Sequence, residues 1–176
     1  MAIEIRTLRE SDDRAAFRSG DPDLDRFFAK FAGQNQYRHH IGITYVAVEG
    51  SRIIGYATIA PGNIAGDALP PAFRRALPRY PLPVLRIARL AVAAEDQGRG
   101  VGSALLRHVF QLALKMAEEL GCAGIHVDAK LDAVEYYRRI GFSSMDAIEG
   151  ELEARPRQTP MFLPLALIIA AVSASR

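Results

Sequence analysis

Six consecutive residues, Gln97-Gly98-Arg99-Gly100-Val101-Gly102, have the types and spacing to hold a phosphate. Three glycines in alternation let a backbone turn sharply at positive φ and keep Cβ atoms out of a ligand's way. An apolar stretch ending in Leu90-Ala91-Val92 precedes them, and an amphipathic run to Leu120 follows. A helix opening at about Gly102–Ser103 leaves its first N–H groups without intrahelical partners, and its dipole makes that end partly positive. Loop amides feeding such an end form an anion site, and Arg99 adds a positive charge beside it. The dinucleotide fingerprint G-x-G-x-x-G and the P-loop G-x-x-x-x-G-K-[ST] are both absent, so the phosphate belongs to another ligand.

Other reactive residue types are sparse. The single Cys122 excludes an internal disulfide and a cysteine zinc site, and its place near a helix end predicts a core role. His39 and His40 are sequence neighbours, point different ways on any regular element and make a poor metal pair, so no metal is expected. Arg38, Arg74, Arg75, Arg79, Arg86 and Arg89, with His39 and His40, form a basic set. Such residues either contact phosphates or sit on solvated loops and in ion pairs.

The surrounding pattern predicts the elements that position these residues. Ile3 and Ile5 alternate with charged residues, as in a strand. Arg9–Ser19, with Ser11 and Asp12 as caps, predicts a short helix. Asp21-Pro22 marks a second helix start, and Leu24, Phe27, Phe28 and Phe31 recur at helical spacing as a core stripe. Gln34–Gly42 is polar. Thr44–Glu49 and Arg52–Ala60 read as a hairpin across Gly50-Ser51, ended by Pro61. Asn63–Pro83 is irregular and proline-rich, long enough to be functional, with a short helix at Pro71–Leu77. Val84–Val92 is a central strand. The long helix buries Leu105, Val109, Leu112, Met116 and Leu120, flanked by Leu106, Phe110, Ala113 and Ala117, and stops at Gly121. Gly124–Ala129 is the next strand. Asp132 caps a helix through Tyr136 and Tyr137 that Gly141 ends, and Phe142 starts a further strand. A charged, prolyl stretch, 151–160, precedes a strand at Met161–Leu165 and an apolar tail. The strand–helix–strand unit implies parallel neighbours with a right-handed crossover, so the expected fold is α/β: a mixed central sheet with helices on both faces.

A chain of 176 residues suits one domain, 1–176, with a sizeable core. A net charge of +2 permits a nucleic-acid partner without demanding one. The N-terminus lacks an apolar signal region, and the longest apolar run, Leu165–Val172, is too short to cross a membrane. The expected location is the cytoplasm.

The pattern Gln97-x-x-Gly100-x-Gly102 between strand and helix, with Tyr136-Tyr137-x-x-x-Gly141-Phe142 farther on, resembles the acetyl-CoA loop of the GNAT superfamily of N-acetyltransferases. Within it the chain is similar to the GNAT toxins of bacterial type II toxin–antitoxin modules, which acetylate the amino group of aminoacyl-tRNA. That resemblance spans most of the chain: Gly20–Phe27, Ala32–Asn35, Gly55-Tyr56, Pro78–Val84, Arg89–Val92, Val127–Lys130, Tyr137–Phe142 and Phe162–Leu165. One departure is Arg18-Ser19-Gly20, where many members of the branch have Phe-x-Cys-Gly.

The resemblance implies that the amides of Gln97, Gly98, Arg99, Gly100, Val101, Gly102 and Ser103 bind the CoA pyrophosphate and that the backbone of Leu90, Ala91 and Val92 holds the pantetheine arm. It implies that Tyr137 protonates the leaving thiolate, with Tyr136 as its rival one register away. Glu49, Asp96, Asp128 and Glu135 are the candidate bases. An α-amino group, with a pKa of about 7.7–8.0, needs less help from a base than a lysine near 10.4. The basic set, chiefly Arg38, Arg74, Arg75, Arg79 and Arg89, would face tRNA. A DNA-binding antitoxin and a homodimer are further implications. The alternatives are an acetyltransferase for a small-molecule or peptide amine, and a CoA-binding module without catalysis.

Overall fold

A computed structural model describes residues 2–145 and 158–175. In chain order the elements are β1 (Glu4–Thr7), α1 (Pro22–Lys30), α2 (Ala32–Tyr37), β2 (Ile43–Glu49), β3 (Arg52–Ile64), α3 (Pro71–Arg74), β4 (Leu82–Val92), α4 (Val101–Glu119), β5 (Gly124–Lys130), α5 (Val134–Ile140), β6 (Ser143–Ser144), β7 (Gln158–Pro164) and α6 (Leu165–Ala174). The strands form a mixed seven-stranded sheet in the order β1-β2-β3-β4-β5-β7-β6, the expected α/β class. The chain divides into two compact units, Met1–Ala60 with Ile87–Val109, and Pro61–Arg86 with Phe110–Arg176.

In the first unit β1 pairs antiparallel with β2, Glu4 opposite Val48, and β2 pairs antiparallel with β3, Ile43 opposite Ile59. The core gathers Leu8, Phe17, Phe28, Ala32, Val46, Val48, Tyr56, Ala91 and Ala93. Helix α1 starts where Asp21-Pro22 predicts: the Asp21 carboxylate accepts from the N–H groups of Asp23 (2.9 Å) and Leu24 (3.3 Å). Its stripe buries Phe28, which stacks on Tyr56 with centroids 4.4 Å apart and meets Phe17 edge-on at 5.2 Å. Phe31, expected on that stripe, is 40% exposed.

The helix expected over Arg9–Ser19 is absent; the segment is a series of turns. Acidic side chains here compete with helix formation by taking local N–H groups themselves. Asp12 accepts from the Arg9 N–H at 2.8 Å and pairs with Arg6, and Asp13 accepts from the Ala15 N–H at 3.0 Å. The helical residues lie instead in the polar stretch, as α2. There Gln36 is buried because its amide has fixed partners: Nε2 donates to the Leu8 carbonyl (3.1 Å), and Oε1 accepts from the Thr44 N–H (2.9 Å).

Pro61 does not end β3, which runs on to Ile64. Pairing with β2 ends at Ile59, so the missing proline N–H interrupts no bond of that ladder. In the second unit β5 pairs antiparallel with β7, Gly124 opposite Pro164, and β6 with β7, Ser143 opposite Phe162. Ile64, Leu69, Leu82, Val84, Met145 and Phe162 form its core cluster. A Cβ on Gly124 would lie 2.2 Å from the Leu163 carbonyl oxygen, so the β5–β7 approach requires glycine there.

Helix α4 opens at Val101, slightly ahead of the expected start, and Gly121 follows it at φ +105°. Leu105, Leu106, Val109, Phe110 and Ala113 are buried, but Leu120 is 84% exposed and is not part of the buried face. Asp132 is not a cap: it lies in a 3-10 turn, Leu131–Ala133, and Ala133 precedes α5 with no side-chain cap. The apolar tail forms α6, with Ile168 buried and Leu167 and Ile169 exposed. No helix among the described residues is long and apolar enough to cross a membrane. Of the stretch 151–160, residues 151–157 lie outside the described residues.

Candidate active site

The loop after β4 belongs wholly to the first unit. The Ala93 N–H donates to the Ile54 carbonyl (2.8 Å) and the Ala94 N–H to that of Arg18 (2.9 Å), which fixes the chain as it leaves the strand. A 3-10 turn, Ala94–Asp96, follows. Gln97 then ties the loop down: its Nε2 donates to the carbonyls of Ser19 (3.0 Å) and Val92 (3.3 Å). Gly98 and Gly100 have φ of +81° and +82°, and a Cβ on either would meet nothing within 4 Å. Glycine is required here by backbone conformation and not by protein packing. Gly102, the third glycine of the alternation, lies inside α4.

The first helical bond runs from the Ala104 N–H to the Gly100 carbonyl (3.0 Å). The N–H groups of Val101, Gly102 and Ser103 thus belong to the free first turn of a long helix, the arrangement that accepts a phosphate. Gly55 on β3 permits this placement, since a Cβ there would lie 2.9 Å from Val101 Cγ1 and 3.1 Å from the Ala91 carbonyl oxygen. Sequence spacing gave Gly55 no role. Gly55-Tyr56 belongs to the resemblance, but only the packing shows what the glycine is for. Alanine at position 100 should cost about 1–2 kcal/mol of left-handed strain; denaturant melts of Gly100→Ala check this, and a midpoint equal to that of the wild type would contradict the strained turn.

Arg99 stands beside this loop but not as an isolated charge. It pairs with Glu49 at 2.6 Å and with Asp96. Asp96 is 2% exposed and also receives Arg52 at 2.6 and 3.0 Å. The Arg52 and Arg99 guanidiniums hold the Asp96 carboxyl below the usual range, and Arg99 does the same to Glu49. In the second unit Asp128 is lowered by His126 (3.2 Å) and Arg86 (3.1 Å), and Glu135 pairs with Arg138. All four candidate bases are therefore engaged.

Tyr137, in the second unit, is buried on α5, edge-on to the rings of Phe142 (5.3 Å) and Tyr136 (5.4 Å). Burial raises its pKa well above the ordinary phenol value, so it carries its proton throughout the physiological range. Gly141, at φ +121°, ends α5 and returns Phe142 to it, with the Phe142 N–H donating to the Tyr137 carbonyl (3.1 Å).

The basic residues divide between the units. Arg38 ends α2 and lines an open groove of about 410 Å³ with Glu10, Arg14, Gly33, Gln34 and Tyr37. Arg89 is exposed on β4, its guanidinium over the Phe27 ring. In the second unit Arg74 at the end of α3, and Arg75 and Arg79 on the loop before β4, are exposed, and the Arg74 Nε donates to the Leu69 carbonyl (2.8 Å). Arg86, by contrast, takes the ion-pair role with Asp128. Cys122 is buried, its Sγ near the Gly124 carbonyl (3.2 Å), and burial raises its pKa. His39 and His40 are exposed, and no group of three or more metal-ligating side chains occurs among the described residues.

His108, on α4, packs on Tyr45 with ring centroids 4.4 Å apart. Its Nε2 is buried and has no hydrogen-bond partner among the described residues. Burial lowers its pKa from the ordinary value of about 6.5. The unfolded chain thus takes up this proton at higher pH than the folded one. The stability is present above about 6.5 and is lost as pH falls toward the depressed folded value. Denaturant midpoints should fall between about pH 7.5 and 5.5 more steeply in the wild type than in His108→Leu; equal pH dependence would contradict the assignment.

A strand, a glycine loop with free helix-start amides and a long helix give an α/β protein an arrangement suited to a phosphate. Residues 40–144 match the acetyltransferase (GNAT) domain. The chain belongs to the GNAT acetyltransferase family, and it is an acyltransferase. It is 35% identical over 127 residues to a tRNA-acetylating toxin of Mycobacterium tuberculosis, covering 72% of this chain and 75% of that one. Its fold is similar to that of a tyrosine-to-phenylalanine mutant of KacT, with a TM-score of 0.84 and 24% identity over 97% of this chain and 99% of that one. It is also similar to AtaT complexed with acetyl-methionyl-tRNAfMet, at a TM-score of 0.82 and 22% identity, again over 97% and 99%.

Proposed function

We propose that residues 1–176 act as one acetyl-CoA-dependent N-acetyltransferase domain whose acceptor is the α-amino group of aminoacyl-tRNA, the activity of a toxin held in check by an antitoxin protein. The observation that carries the reading is the likeness to the tRNA-acetylating toxin, which covers most of both chains and brings with it an intact phosphate-type loop. The backbone of Leu90–Val92 holds the pantetheine. The amides from Gln97 to Ser103, chiefly those of Val101, Gly102 and Ser103, take the pyrophosphate, while Gln97 and Arg99 brace the loop from within.

The neutral amine attacks the thioester carbonyl carbon. The C–N bond forms, the C–S bond breaks, and the departing sulfur takes the phenolic proton of Tyr137. The ammonium proton leaves to water, and the Tyr137 phenolate regains its proton from water. Engagement of Glu49, Asp96, Asp128 and Glu135 in ion pairs supports an acceptor that needs no strong base. With a pKa of about 7.7–8.0, an α-amino group is substantially neutral near pH 7.5. Arg38, Arg74, Arg75, Arg79 and Arg89 contact the tRNA. A cytoplasmic homodimer is the state in which we expect this chemistry, because its substrates are the charged tRNAs of translation.

The reading is tested in cell-free translation. Adding the protein should stop synthesis only when acetyl-CoA is also present, and fresh aminoacyl-tRNA should restore it. Undiminished synthesis with acetyl-CoA present would redirect the search to small amines and peptides.

A further inference from the structure

Five arginines are neutralised by carboxylates, while Arg14 and Arg18 donate to the backbone carbonyls of Phe28, Ala15 and Phe17. Arg6 pairs with Asp12, Arg52 with Asp96 and Glu95, Arg86 with Asp128, Arg99 with Glu49 and Asp96, and Arg138 with Glu135. Arg89 is fixed differently. Its Cζ lies 4.8 Å from the centroid of Phe27, and its Nη1 donates to the neighbouring Ala88 carbonyl at 2.7 Å. No carboxylate partners it among the described residues.

The ring beneath Arg89 is itself held. Phe27 stacks on Tyr56 at 6.4 Å and 24°, Tyr56 stacks on Phe28, and the Tyr56 hydroxyl donates to the Leu24 carbonyl at 2.7 Å. A guanidinium over an aromatic face keeps its full charge and its outward N–H groups. Arg89 is exposed, and it immediately precedes the Leu90–Val92 segment. An exposed, oriented and unneutralised guanidinium suits a bidentate phosphate contact.

We propose that Arg89 grips a backbone phosphate of the acceptor tRNA and that Phe27 is the positioning residue that aims its guanidinium. This rests on the aminoacyl-tRNA reading above, and it adds which residue fixes the nucleic acid beside the reacting strand and how that residue is held.

Equilibrium binding of total charged tRNA to the full chain, measured across salt concentrations, reads the contact without relying on acetyl transfer. Losing one phosphate contact in Arg89→Gln should reduce the slope of log K against log salt by about 0.7–0.9. Arg89→Lys should keep the slope but bind more weakly, because a point charge lacks the planar fork. Phe27→Leu should also keep the slope and weaken binding, while Phe27→Tyr, which retains the ring face, restores affinity. In acetylation assays the Phe27→Leu effect should fall on KM for tRNA rather than on kcat. Acetyl-CoA affinity measured in the same variants should not move. An unchanged slope in Arg89→Gln overturns the proposal, as does a loss confined to acetyl-CoA binding, which would make the phosphate one of CoA. If tRNA binds with the expected slope change and is not acetylated, the phosphate contact stands and the acceptor reading fails.

Discussion

Replacing Tyr137 by phenylalanine should lower kcat for acetyl transfer by about 100-fold or more, the usual worth of a positioned general acid. Acetyl-CoA affinity should stay close to that of the wild type, because the change removes one oxygen from α5 and leaves the loop of the first unit untouched. The ring should keep its edge-on contacts with Tyr136 and Phe142, so the variant should fold. Burial holds the phenol protonated, so the wild-type rate should show no loss from Tyr137 titration up to about pH 10. Single-turnover rates with saturating acetyl-CoA make the comparison directly. A Tyr137→Phe rate within about threefold of wild type would remove this residue from the chemistry, and the same measurement on Tyr136→Phe would show whether the acid lies one position earlier.

The largest effect on stability should come from Phe28→Ala. Phe28 is fully buried, stacked on Tyr56 and edge-on to Phe17, at the centre of the cluster that ties α1 to the first unit's strands. Truncating a buried phenylalanine costs about 3–5 kcal/mol through lost transfer energy and the remaining cavity, against a total of roughly 5–15 kcal/mol for an ordinary domain. The denaturant midpoint should therefore drop markedly with little change in slope. Because Phe28 also supports the stack beneath Arg89, surviving folded protein should bind tRNA less tightly. A cost below about 1 kcal/mol would mean that the cluster is not the core of this unit.

The features legible in the sequence were those set by a few adjacent residues. Asp21-Pro22 placed the start of α1, Gly121 and Gly141 marked where α4 and α5 stop, and the glycine loop stood where its spacing put it. Resemblance carried the reading further, to the acetyltransferase class. What the sequence concealed depends on partners distant along the chain. Asp12 looks like a helix cap, yet its side chain pairs with Arg6 and accepts from the Arg9 N–H, and Asp13 beside it accepts from the Ala15 N–H. Gln36 reads as a surface residue until Leu8 and Thr44 supply its hydrogen bonds. Arg99 reads as a free charge until Glu49, from the β2–β3 hairpin, and buried Asp96 neutralise it. Arg86 and Arg89 look alike on one strand, but one meets Asp128 and the other meets Phe27. Pro61 misled because a proline ends a strand only where its N–H is needed.

The most direct test of the central claim is the identity of the acetylated atom. Charged tRNA treated with the protein and labelled acetyl-CoA, then hydrolysed at its ester bond, should release a labelled N-acetyl-amino acid, while deacylated tRNA should take up no label. Label retained on the nucleic acid after hydrolysis, or no label on charged tRNA by a protein that binds acetyl-CoA, would contradict transfer to the α-amino group.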